Sequence, residues 1–466
     1  MVNITQIDLI QPRHNYAAAE GLGHVYMPTA LLTVAARLID AGIDVRIHDE
    51  NINPRNINSR YVGISLLGSP YIPEVIRLQE QILEETGEEI TFLLGGQRVV
   101  SGLTEQQFRR LFGGSSIDGN KDENLARVLG INPARLKSAE QISLVPAYRT
   151  IQDSVMKEYL SREFGMYVSQ GCKFDCDFCG AVRTIRDPVT GELKKAIETY
   201  RNSDAIRLDL EFLVDKSKSF GLSSLSIYVS NLDVFQTPKS LEEFAGTLTD
   251  IKRKNTGFDI KLRGLSTVDS YLATRKHKPR TIEKLVEAGF NTVGFGVDGW
   301  GIWKKVHKAI NTEEKCLDAI ISAREDFGLT PEVLMVFGHA GVDTEESLRG
   351  AYEITLYLVD KYGAIPRPHV AKSFIPGNKG WSEPENAESI EKLIQHPESF
   401  QALDFTALAS KLTHPDDKMR ELANEYFLKM CAIHGNTTQY VLPITPEITT
   451  EQKEKVKKFN QGRFDR

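Results

Sequence analysis

The sequence predicts an α/β protein in three parts. These are an N-terminal doubly wound, flavodoxin-like sheet over residues 1–130, a central partial barrel of six strand and helix units over 164–380, and a helical C-terminal region over 381–466, with a linker at 131–163. Three observations carry this. Residues 1 to about 130 alternate short apolar runs with helical patterns, the signature of a parallel sheet with crossover helices. A second alternation follows, with six units, too few to close an eight-stranded barrel and suited to an open one. From about 381 the pattern changes to charge-rich helices. At 466 residues the chain is also too long for one ordinary core.

In order, residues 4–10 read as the first strand, and the loop after it carries Gly21 and Gly23. Pro28 opens a helix to residue 41 with Leu31, Leu32, Val34, Ala35 and Leu38 at helical spacing, and Gly42 ends it. Residues 43–47, 62–67 and 90–94 are the next strands. Gly68-Ser69-Pro70 turns into a helix over 72–86, and Gly95-Gly96 follows the fourth strand. Open sheets of this kind bind ligands beyond the carboxyl ends of their strands, so the loops at 11–23, 67–70 and 95–98 form the predicted floor of a pocket. After the linker, residues 166–169 deliver the chain into a cysteine cluster. Residues 224–230, 258–263, 292–297, 332–338 and 368–374 are five more strands, separated by helices near 204–220, 240–254, 281–288, 312–327 and 345–361. Helices at 384–396, 400–412, 416–434 and 449–458 complete the reading.

Hydrophobic content of 41% with 26% charge is that of a soluble globular protein, and a net charge of -6 leaves no basic footprint for nucleic acid. No apolar run is long enough for a membrane span, and the N-terminus lacks the charged-then-apolar pattern of a secretory signal. Five cysteines, three of them clustered, are not a disulfide framework; a reducing, cytoplasmic setting is expected.

The cluster is Gly171-Cys172-Lys173-Phe174-Asp175-Cys176-Asp177-Phe178-Cys179-Gly180, a C-x3-C-x2-C spacing. Thiolates this close in sequence can converge on a soft metal centre. Three protein ligands would leave one position of a four-iron centre open to substrate or cofactor. A zinc site with a distant histidine or cysteine as fourth ligand is the alternative. The loop resembles that of the radical S-adenosylmethionine (SAM) superfamily, which carries this spacing with an aromatic, here Phe178, before the third cysteine.

The first part resembles the cobalamin-binding domain that precedes the cluster domain in many of these enzymes, through the Pro28 helix, Gly42-Ile43-Asp44-Val45, Val62-Gly63-Ile64-Ser65 and Leu94-Gly95-Gly96. The D-x-H-x-x-G motif that supplies a histidine to cobalt is absent, since Asp44 and His48 lie four apart with no glycine following. The acidic glycine-rich stretch that closes such domains is degraded to Asp118-Gly119-Asn120-Lys121-Asp122-Glu123. Gly68, Ser69, Gly95 and Gly96 are the cobalamin-binding candidates; a scaffold without cofactor is the alternative. Leu144-Val145-Pro146-Ala147-Tyr148 resembles the family's linker.

The resemblance implies that Cys172, Cys176 and Cys179 hold a 4Fe-4S cluster, that SAM fills the open iron, and that its cleavage yields a deoxyadenosyl radical. Phe178, Ser230, Asn231, Arg263, Ser266, Asp298, Phe337 and Gly338 are the implied SAM-binding residues, with Thr267 beside them. Asp298 ends Gly294-Phe295-Gly296-Val297-Asp298-Gly299, where relatives use G-x-E, and Ile375-Pro376-Gly377-Asn378 resembles a P-G-T turn. His339 is the candidate for moving protons or contacting substrate. Trp300, Trp303, Cys316 and Cys431 read as packing, and the lysines at 453–458 as a solvated face. The expected activity is cobalamin-dependent methylation at an unactivated carbon or phosphorus of a small molecule, or a radical cyclisation or rearrangement on a cobalamin-free scaffold. The expected partners are a small substrate and an electron donor such as flavodoxin or ferredoxin, with neither nucleic acid nor membrane. A cobalamin or redox sensor and a zinc-stabilised binding protein are the readings from other classes; a methylthiotransferase would need N-terminal cysteines that are missing.

Overall fold

The computed structural model describes the chain apart from residues 1–3, 14–26, 67, 88, 97–98, 100–101, 114, 117–124, 128, 187–191, 197, 307, 309, 404–407 and 438–466, and gives the backbone alone at 115–116, 184–186 and 435–437. Residues 14–23 of the predicted loop at 11–23, the stretch 118–123 and the helix at 449–458 lie outside the described residues.

Apolar β-rich runs pair into a parallel five-stranded sheet of β1 (Gln6–Gln11), β2 (Asp44–Asp49), β3 (Tyr61–Ser65), β4 (Thr91–Gly95) and β5 (Ser115–Ser116), in the order β2-β1-β3-β4-β5. The order reverses between β1 and β3, which is the switch point where such sheets open a crevice. One face of the sheet, Ile7, Leu9 and Leu93, joins the helix Thr29–Asp40, the linker and the barrel helices in one large core. The other face, Ile10, Val62, Ile64 and Leu94, is covered by the helix Ile72–Thr86 and by a C-terminal stretch carrying Phe374, Trp381, Leu393 and Phe400. The C-terminal region is thus divided: its first stretch covers this sheet, while the helix Asp417–Thr437 packs on the barrel's last strand.

The linker supplies short helices, Val145–Tyr148 and Asp153–Leu160, and leads into β6 (Glu163–Met166). Two small antiparallel pairs that the sequence did not reveal flank the cysteine loop: β7 (Ser169–Gln170) with a later β10 (Thr199–Tyr200), and β8 (Arg183–Arg186) with β9 (Leu193–Lys195). The central sheet joins β6 to β11 (Ser224–Val229), β12 (Asp259–Ser266), β13 (Phe290–Asp298), β14 (Thr330–Phe337) and β15 (Ile365–Val370). All its pairings are parallel and run in chain order, so it curls into a half-barrel with free edges at β6 and β15.

Three expectations are corrected. The last strand begins at Ile365, not 368; Pro366 and Pro368 masked it, and they are tolerated because β15 is an edge. The Pro366 carbonyl on the open side is taken by His434 of the C-terminal helix. Residues 400–412 do not form one helix: a 3-10 turn covers Pro397–Leu403, and residues 408–413 are irregular chain held by Ser410 and Thr413. A helix over Val268–His277, capped by Thr267, precedes the one expected near 281–288.

Candidate metal and cofactor site

The three cysteines sit on the loop after β7, at the carboxyl end of the half-barrel, each half-buried and free of disulfides. Arg183 braces the loop. Its buried guanidinium donates to the carbonyls of Cys179 (2.8 Å) and Cys176 (3.1 Å) and to Asp175 Oδ1 (2.5 Å). Gln236 accepts from the Lys173 amide at 2.7 Å, and Lys379 pairs with Asp177. Gly180 rests on the turn at Pro376-Gly377, where an added Cβ would lie 3.1 Å from the Pro376 carbonyl oxygen. The opposite side of that turn meets Gly102 of the N-terminal part, 2.5 Å from the Pro376 carbonyl carbon by the same measure. Buried Asn378 ties the turn by accepting from the amides of Ile375 and Trp381.

Burial pushes the Cys172 thiol up to about 11, and burial also raises Cys176, with Lys308 opposing and Asp298 reinforcing. Such thiols stay protonated at neutral pH until a metal binds them, which suits a ligand set more than a free nucleophile. Among the described residues no three Cys, His, Asp or Glu side chains converge on the position of a single ion.

Around the loop, the implied SAM contacts fall into two groups. Asp298, Phe178 and His339 come together at the barrel mouth. Asp298 is the one non-glycine residue with positive φ (64°) among the described residues, and it lies where the β13 and β14 register shifts. Its carboxylate pairs with buried Lys308, which also donates to the Gly296 carbonyl at 2.7 Å, as does Asn311 at 3.2 Å. Phe178 meets the His339 ring edge-on at 5.9 Å. Burial holds His339 below the usual histidine range, with Asp343 and Asp298 opposing, and its Nε2 is buried without a hydrogen-bond partner among the described residues. Asp343 fixes that segment by accepting from the amides of Gly338 and His339, both at 2.7 Å. Ser230, half-buried at the end of β11, stands beside Gly165.

The second group is committed inside the protein. Asn231 Oδ1 accepts from the amides of Val168 (2.8 Å) and Ser169 (3.0 Å), fixing the chain as it enters the cysteine loop. Ser266 and Thr267 donate to buried Asp233 at 3.1 and 2.8 Å. Arg263 lies three residues before the end of β12, bound to Glu163 (2.6 Å) and Glu332 (3.2 Å) and stacked over Tyr228. The Phe337 ring is fully buried in the core, so its side chain takes no part at the mouth. Trp303, Cys316 and Cys431 are buried as packing residues, with Trp303 Nε1 donating to the Val297 carbonyl. Arg183, Asp233, Lys308 and Asn311 were missed, because each is defined by partners brought to it by the fold.

At the carboxyl ends of the N-terminal sheet the four candidates differ. An added Cβ on Gly96 would collide with the Leu66 carbonyl, so this glycine lets β3 and β4 close on each other. Among the described residues, nothing lies within 4 Å of a Cβ added to Gly95. Ser69 is buried, and Gly68 makes ordinary contact with Pro70 and Tyr71. His48 does not face the crevice's open side; its Nε2 lies 2.9 Å from Asp8.

No protein-family model matches the chain, and no curated protein matches it. Solved structures do. The radical SAM methyltransferase TsrM from Kitasatospora setae, with cobalamin and a 4Fe-4S cluster bound, superposes with a TM-score of 0.58 at 15% identity, over 83% of this chain and 78% of TsrM. TsrM with tryptophan substrate and the SAM analogue aza-SAM matches with a TM-score of 0.58 at 14% identity, over 82% of this chain and 76% of TsrM. The cobalamin-dependent SAM radical enzyme OxsB, with aqua-cobalamin and SAM bound, matches with a TM-score of 0.55 at 13% identity. That match covers 89% of this chain and 58% of OxsB, so the chain spans little more than half of that protein. The fold is therefore that of cobalamin-dependent radical SAM enzymes, as the motifs imply. Among the described residues no helix is long and apolar enough to cross a membrane.

Proposed function

We propose that this chain is a radical SAM enzyme in which Cys172, Cys176 and Cys179 hold a 4Fe-4S cluster and SAM occupies the iron they leave open. We further propose that it is a cobalamin-dependent methyltransferase acting on an unactivated carbon, or phosphorus, of a small metabolite or natural-product precursor. The observation that carries this is the three-cysteine loop braced at the carboxyl mouth of a six-stranded half-barrel, beside a sheet of order β2-β1-β3-β4-β5. Bound there, the cluster would supply the electron that cleaves SAM, and cobalamin would carry the methyl group.

The chain's own residues hold and enclose. Arg183 keeps the loop carbonyls fixed, so the thiol positions are set before metal arrives. The Asp298 and Lys308 pair places a fixed dipole near Cys176. His339, neutral because it is buried, offers Nε2 to a group of SAM or substrate, and Phe178 packs against it to exclude water. Open space at Gly95 gives a flat ligand room beside the sheet. A flavodoxin- or ferredoxin-type donor in a reducing cytoplasm would supply the electron.

The test is anaerobic purification with iron, sulfide and hydroxocobalamin, followed by metal analysis and absorption spectra before and after reductant and SAM. A brown protein with about four irons per chain that retains cobalamin is expected. Iron without cobalamin would favour a radical cyclase or rearrangement enzyme on a scaffold domain. Zinc without iron would overturn the proposal.

A further inference from the structure

Gln11 ends β1 and is 1% exposed, yet among the described residues neither its amide nitrogen nor its amide oxygen has a hydrogen-bond partner. Natural folds seldom leave both ends of a buried carboxamide unpaired. The strand's alternation says where it belongs. Ile7 and Leu9 lie on the face that shares its core with the barrel, and Gln11 continues that face to the switch point beside β3. The same face turns polar or small on the neighbouring strands, at Asp49, Ser65 and Gly95. Asp49 is already satisfied by the Tyr159 hydroxyl (2.6 Å) and Asn51 (2.8 Å), whereas Gln11 is not, and no described residue lies within 4 Å of a Cβ added to Gly95.

We propose that Gln11 binds the corrin ring, its carboxamide pairing with one of the ring's peripheral carboxamides so that each donates to the other. Two primary amides are self-complementary, and such a pair fills both vacant roles of Gln11 with one partner. The inference rests on the cobalamin reading above.

The experiment titrates hydroxocobalamin into cluster-reconstituted wild type, Gln11→Met and Gln11→Leu, and records melting temperatures without cobalamin. Wild type should bind, and both variants should bind about tenfold more weakly or worse, the scale of a lost hydrogen-bonded pair. Their cobalamin-free melting temperatures should match or exceed wild type, because an unpaired buried amide has been replaced by apolar atoms. Cobinamide, which keeps the ring amides and lacks the nucleotide tail, should show the same ratio. Equal affinity in all three proteins would overturn the role of Gln11 while leaving cobalamin binding intact, as would a ratio near one for cobinamide alone. A lower cobalamin-free melting temperature in both variants would show that Gln11 is satisfied within the fold, and would also overturn it. Wild type that takes up no cobalamin would overturn the underlying reading, and this proposal with it.

Discussion

The barrel interior and the crevice of the N-terminal sheet are both made from parallel strands, but they are prepared for ligands in different ways. Inside the barrel Arg263, Arg367 and Lys308 are each paired with a carboxylate. Arg263 lies between Glu163 and Glu332, Arg367 reaches Glu332 at 2.6 Å, and Lys308 holds Asp298. At the crevice the chain offers a bare glycine at 95 and an unsatisfied neutral amide at Gln11. An unpaired ion in a dry interior costs far more than an unpaired amide, so the barrel must be neutralised by its own residues, whereas the crevice can wait for a partner.

That contrast can be broken at its strongest point first. Cys176→Ala should abolish both iron incorporation and SAM cleavage, measured by metal analysis and by chromatography of the cleavage products; normal turnover in this variant would sink the cluster assignment. Next, Glu332→Leu strands Arg367 and removes one partner of Arg263, and should cost about 3–5 kcal/mol in denaturant unfolding. Gly96→Ala drives a Cβ into the Leu66 carbonyl and should cost about 1–3 kcal/mol by the same measurement.

His434 gives a pH test of the barrel's edge. Burial, with Arg367 nearby, lowers it to about 4 from the usual 6.5. A depressed histidine means the unfolded chain takes the proton first as pH falls, so stability is full above 6.5 and is lost progressively down to 4. His434 should contribute about 2 kcal/mol to the loss between pH 7 and 5, and His434→Gln should remove that part in paired unfolding curves, leaving the part due to His369, which burial also lowers to about 4. The smallest effect sharpens the crevice side. Gly95→Ala should leave cobalamin-free stability within about 0.5 kcal/mol of wild type, because no atom of the described residues lies near the new methyl, while weakening cobalamin retention. A large stability loss there would show that the space at Gly95 is not open.

Much of this architecture is legible in the chain before folding. The helix over Ile72–Thr86 appears at its predicted bounds, and the six barrel strands are found in the predicted order, because apolar periodicity and glycine turns are local properties. The cysteine loop is legible for the same reason, its three cysteines lying within eight residues. Polarity did mislead at the strand ends. Asn231, Ser266 and Thr267 have the composition of ligand contacts, yet their hydrogen bonds go to backbone amides and to Asp233. Gln11 carried a readable signal, a polar residue closing a run of buried apolar ones, and its meaning depends on which face of the strand it occupies.

The sequence by itself determined the α/β fold class, the two runs of parallel strands and the spacing of the three cysteines, since these follow from patterns within a few turns or a single loop. The tertiary structure alone decided which polar groups are spent and which stay open. Arg183 meets the cysteine carbonyls, Lys308 meets Asp298, and the turn at Pro376-Gly377 lies between Gly102 and Gly180 only because the folded chain brings distant segments within hydrogen-bonding or contact distance. Hydrogen bonds and ion pairs act over a few ångströms of space, and no pattern of spacing along the chain encodes that proximity.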